Sequence, residues 1–157
     1  MNIFMPEKVR FDSVRALDDA RLNKQISECL TILNVALRGQ TGYSHHPVVK
    51  YYKDYPHWVA AFGMMCCAEY YIRQHKIHGA QGQIKLDFDD TQTTDGVLEN
   101  PKSFYCQGKK TDPDHIRTFD NTVELFRNRL CWKWDHDKRT PTWTNREPPV
   151  WYKRKEI

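Results

Sequence analysis

Between Leu17 and Leu33 the apolar residues recur with the period of a helix. Leu22, Ile26, Cys29, Leu30 and Leu33 fall within about 100° of one another on a helical wheel. This stripe commits the stretch to an amphipathic helix with one face against a core. A polar ridge runs beside it. With Arg21 at zero and about 100° per residue, Gln25 falls at about 40°, Glu28 at about 340° and Lys24 at about 300°. One carboxylate, one amide and two cations therefore share one side of the helix. By itself such a ridge is a solvated face with ordinary ion pairs. Beside a cleft, the same ridge is suited to holding an anion next to a proton-transfer group.

Asp12 or Ser13 is placed to cap this helix, which is expected to run to Arg38, where Gly39 and Gly42 stop it. The loop GQTGYSHH leads to Pro47 at a first helical position, and Val48 to Lys53 reads as a short helical turn. Pro56 starts a second long helix, from about His57 to His75, with Val59, Phe62, Cys66, Tyr70 and Arg73 along one side. Gly79 and Gly82 end it. Residues 80–114 hold Gly, Asp, Thr, Asn and Pro with no sustained apolar period, so irregular structure is expected, with a short strand around Ile84 to Phe88. Asp114 can cap a third helix from His115 to Trp132, burying Ile116, Phe119, Val123, Phe126 and Leu130. The expectation is an all-α, compact three-helix domain spanning residues 1–157, with long connections and an extended aromatic-basic segment over 133–157.

Composition narrows the classes. The chain has 157 residues, 39% hydrophobic and 13% aromatic, with a formal net charge of +4, and its mean hydropathy is −0.78. No apolar run is long enough to span a membrane. The start, MNIFMPEKVRF, lacks the cationic-then-apolar order of a secretory signal, so a cytoplasmic location is expected. Five cysteines (Cys29, Cys66, Cys67, Cys106, Cys131) without CxxC spacing read as reduced, mostly buried thiols. Adjacent Cys66 and Cys67 cannot both point one way on a helix. Seven histidines raise the question of zinc; Cys131 with His136, or His75 with His78, supplies a pair, but no four-ligand signature is complete. No metal or other cofactor is expected.

Charge is informative through its distribution. From Trp132 to Ile157, seven Lys or Arg stand against four acids, interleaved with Trp132, Trp134, Trp143, Trp151 and Tyr152. Two readings stay open: phosphate contacts with base stacking, or a tail that packs its rings on the body and solvates its charges. Trp151, Lys153 and Arg154 are the candidate contacts under the first.

The run LDDARLNKQISECLTIL, then HHPVVKYYKDY, then AAFGMMCCAEY resembles the pyrimidine-dimer DNA glycosylase (endonuclease V) family, especially its cellular and viral branch. Arg21, Leu22, Lys24, Gln25, Glu28, His46 and Pro47 match that branch's motifs in order. The similarity covers roughly the first half of the chain, and the closing PTW and WYK strings echo the family's aromatic-basic terminus. The resemblance implies a helical fold with the N-terminal segment threaded between helices. It also implies an N-glycosylase with abasic-site lyase activity, in which the N-terminal amine forms a Schiff base with the sugar and a helical glutamate, here Glu28, serves it. An α-amino group ordinarily titrates at about 7.7–8.0, so part of it is unprotonated near neutrality.

Arg21 and Lys24 are then expected to hold phosphates, Gln25 to read or orient a base edge, and His46 to donate to a phosphate or sugar oxygen unless it caps a helix. Lys50 joins them as a candidate phosphate contact. One departure stands out. The second residue is Asn2 where founding members carry a small one, so Met1 is expected to be retained and to supply the amine. Ser27 replaces a second arginine of those members. DNA is the expected partner; the alternatives are a small nucleotide ligand held without catalysis, as by a viral sponge for a signalling nucleotide, and an accessory DNA-binding role. Oligomeric state is not determined by these patterns.

Overall fold

The computed structural model describes residues 1–73 and 119–153. Among them the chain is all-α, with helices α1 (Arg10–Ala16), α2 (Asp19–Arg38), α3 (Pro47–Tyr52), α4 (Pro56–Ile72) and α5 (Phe119–His136). The three long helices expected from the periodicity are α2, α4 and α5, and the turn after Pro47 is α3; α5 runs past the expected end at Trp132 to His136, so residues 133–136 are helical and not part of the extended segment. The strand expected near Ile84, the irregular stretch 80–114 and the cap at Asp114 lie outside the described residues.

The first long helix departs from expectation because it is broken in two. Leu17 and Asp18 take extended backbone, with ψ of 139° and 162°, and this turns Leu17 fully into the core. The last carbonyls of a helix lack intrahelical partners, and here distant donors supply them. Arg73 donates to the carbonyls of Arg15 (3.0 Å) and Leu17 (2.9 Å), and the Trp143 indole donates to that of Ala16 (3.0 Å). Ser13 does not cap either: its hydroxyl donates to the Glu7 carbonyl and accepts from the Glu7 N–H.

The local punctuation works as its chemistry requires. α2 ends at Gly39 in the left-handed region, φ 65°, with its N–H on the Asn34 carbonyl. Pro47 and Pro56 occupy first turns, where a missing N–H costs nothing.

α2 packs chiefly against α4, and α1 also lies on α4. α4 is covered on more than one side, burying Trp58, Val59, Phe62, Gly63, Cys66 and Cys67, which is how two adjacent cysteines are both buried. Burial pushes the Cys29 and Cys66 thiols well up and that of Cys67 to about 11. Ile3, Phe4 and Met5 of the N-terminal segment belong to the same core.

In the C-terminal segment most of the rings pack on the body, while Trp132 is exposed and Arg146 pairs with Glu69. Trp143, Trp151 and Tyr152 pack against the core, around buried Trp134. Trp151 stacks on Trp134 at 5.6 Å, and Trp143 and Tyr152 meet it edge-on at 5.1 and 4.6 Å.

Candidate functional site at the N-terminal segment

The N-terminal residues lie along α2, and two α2 side chains hold them there. The Asn2 N–H donates to Glu28 Oε2 at 2.7 Å. Gln25 Nε2 donates to the Asn2 carbonyl (2.6 Å) and to Glu28 Oε2 (3.2 Å), while Gln25 Oε1 accepts the Phe4 N–H at 2.9 Å. The Met1 amine forms an ion pair with Glu28 Oε1 at 3.9 Å. Glu28 is 6% exposed and Gln25 is fully buried. A carboxylate taken this far from water needs partners, and the chain's own first residues provide them.

The far end of the segment is held as firmly. Arg127 donates through Nε to the Pro6 carbonyl (2.8 Å) and through Nη2 to Glu7 Oε2 (2.6 Å), and the Trp151 indole donates to Glu7 Oε1 (2.6 Å). With the Ser13 pair at Glu7, residues 2–7 are fixed at both ends. The contacts from Glu7, Ser13 and Arg127 were not anticipated. Their only signal in the sequence is that polar residues occur where a core segment must satisfy its backbone.

The ridge of α2 therefore divides. Gln25 and Glu28 face the N-terminal segment. Arg21 turns the other way, pairing with Asp18 (3.2 Å) and with Asp137 beyond the end of α5. It lines a cleft of about 830 Å³ at the start of α2, together with Tyr70, Asp137, Lys138 and Arg139. Lys24 is exposed. Gln25, expected to read or orient a base edge, has its amide fully buried, with both ends bonded to the protein's own backbone and to Glu28.

The remaining expected contacts are distributed over the surface. His46 is the N-cap of α3: its Nδ1 accepts the Val48 N–H at 3.2 Å, so the neutral ring carries its proton on Nε2. Lys50 and Lys153 are exposed. Trp151, expected as a stacking contact, is partly buried and engaged by Trp134, Glu7 and the Arg127 guanidinium 5.3 Å from its ring centroid. Arg154 lies outside the described residues.

A largely buried ionic network joins the start of α2, the end of α4 and the C-terminal segment. Arg73 donates to Glu69 (2.9 Å) and Asp19 (3.0 Å), and Arg146 donates to both Glu69 oxygens (2.8 and 3.2 Å). Burial raises the Glu69 carboxyl, but the hydrogen bonds from Arg146 and Arg73 outweigh it and the net shift is downward. Asp19 moves the same way: burial is overcome by hydrogen bonds from Thr144, Arg73 and Thr142.

Among the described residues, no three His, Cys, Asp or Glu side chains gather as metal ligands, and no helix is long and apolar enough to cross a membrane. Comparison with curated proteins and with solved structures gives no match. The family model described as pyrimidine dimer DNA glycosylase matches residues 1–80. That span contains the N-terminal segment, Gln25 and Glu28, and takes in just over half of the chain. On this match the chain belongs to the pyrimidine dimer DNA glycosylase family.

Proposed function

We propose that the protein is a DNA-lesion N-glycosylase with abasic-site lyase activity, working through its N-terminal amine and Glu28. The observation that carries this reading is the buried Glu28 carboxylate set against the first two backbone nitrogens, at 2.7 Å from that of Asn2 and 3.9 Å from that of Met1. An amine and a carboxylate held together in a water-poor place are the two groups imine chemistry needs.

In the proposed sequence the unprotonated amine attacks the sugar C1′. The C1′–base bond breaks, and the base leaves with the electron pair and takes up a proton. Protonation of the ring oxygen then opens the sugar and gives an iminium at C1′. Glu28 stabilises the positive charge that develops at C1′ and the sugar oxygen and relays the protons. Removal of a C2′ proton expels the 3′ phosphate, and water hydrolyses the imine to restore the amine. Exposed Lys24, Lys50 and Lys153 supply phosphate contacts that are independent of base identity. Arg21 can join them only when Asp18 and Asp137 release it.

Borohydride trapping on ultraviolet-irradiated and on abasic duplex tests this directly. The expected result is a covalent adduct whose peptide map places the DNA on the N-terminal residue. Glu28→Gln should lower the trapping rate by about 100-fold or more, within the range of acid–base groups. No adduct on either substrate, or an adduct on Lys24, overturns the proposal. Thermal stabilisation by short oligonucleotides without any product would instead support binding alone.

A further inference from the structure

We infer that Gln25 is a positioning residue: its side-chain amide sets the register of residues 2–4 along α2, and so fixes which N-terminal nitrogen Glu28 addresses. The inference rests on the proposed role of Glu28 and the amine. The amide bonds the Asn2 carbonyl with its nitrogen and the Phe4 N–H with its oxygen. Those are the two bonds that the N–H and C=O of a single residue in a neighbouring parallel strand make to residues two apart. A slip of one residue would lose both bonds and turn buried Ile3, Phe4 and Met5 away from their places in the core.

The same Nε2 also reaches Glu28 Oε2. One side chain thus ties the carboxylate to the segment it serves. Arg127 and Ser13 hold the segment's other end, so Gln25 is the anchor next to the proposed chemistry. Its burial and the saturation of both its ends leave no group for a ligand; its effect on the reaction passes through the position of the amine and of Glu28.

The test compares wild type with Gln25→Met, which removes both polar ends at similar volume, and with Gln25→Glu, which keeps the acceptor for Phe4 but loses the donor. In wild type, the Asn2 and Phe4 amides should exchange more slowly than in a free peptide. In both variants that protection should fall, and the N-terminal amine should undergo reductive methylation faster. The single-turnover trapping rate on abasic duplex should drop about tenfold or more, as misplacement of reacting groups does, while duplex affinity stays within about twofold of wild type, since positioning acts on alignment and not on binding.

Free-peptide exchange of both amides in wild type overturns the inference. So does a wild-type trapping rate in variants that have lost the protection. If wild type forms no adduct at all, the proposed activity fails, and the exchange and methylation arms still decide the register. If neither variant folds, the wild-type exchange measurement decides it alone.

Discussion

His46 shows how one side chain can satisfy two readings until its partner is known. As a histidine in HHP beside a helix start it suits a phosphate contact, yet its Nδ1 already accepts the Val48 N–H as the cap of α3. His46→Ala should therefore cost about 1 kcal/mol in urea unfolding, the usual loss for a cap, and His46→Asp should recover most of it. Duplex affinity at matched salt should be unchanged in His46→Asn, which keeps a capping side chain without adding charge; a fall there would show that the ring also touches DNA. Glu28 was legible for a different reason. Its spacing from Arg21 and Gln25 placed it on one polar ridge beside the apolar stripe, but its near-complete burial comes from the N-terminal segment laid over it.

Between elements, the Arg73–Glu69–Arg146–Asp19 network fastens α4 to the start of α2 and to the C-terminal segment. Glu69→Ala leaves a fully buried guanidinium with one of its carboxylates missing, and should cost about 3–5 kcal/mol in denaturant unfolding. The pH dependence follows from the downward shifts of Glu69 and Asp19. A carboxylate depressed in the folded state contributes stability that is complete above its unfolded pKa, about 4, and is lost as pH falls through the lower folded value. Urea midpoints should therefore hold from neutrality to roughly pH 5 and decline steeply below about pH 4. The decline should be shallower in Glu69→Gln. A midpoint that improves on acidification would contradict the network's role.

Across the described residues, the C-terminal segment packs its rings against the core. Deleting residues 141–157 removes Trp143, Trp151 and Arg146 from their partners, and should lower the melting temperature by about 10 °C or more, the effect of a few kcal/mol in a domain this size. Loss of DNA binding in such a truncation would report unfolding. Lys153→Ala and Lys24→Ala separate the two causes: each should change stability by less than about 0.5 kcal/mol. Each should also reduce the slope of log affinity against log salt by about one if it meets a phosphate. An unchanged slope assigns that lysine to solvent.

Short-range chemistry was enough to determine the all-α class, the apolar face of α2, the stop at Gly39 and the starts at Pro47 and Pro56. Each of those depends on residues within a turn or two of one another, so the order of side chains fixes it. The fate of the polar groups was decided only by the tertiary structure. Gln25 meets residues 21 and 23 positions away, Arg73 meets carbonyls 56 and 58 positions away, and Trp151 meets Glu7 across 144. Whether a buried amide, carboxylate or guanidinium serves a ligand or the chain's own backbone depends on which distant donor or acceptor reaches it first. No local period records that. The break at Leu17 has the same origin: a helix yields where long-range donors satisfy the carbonyls it gives up.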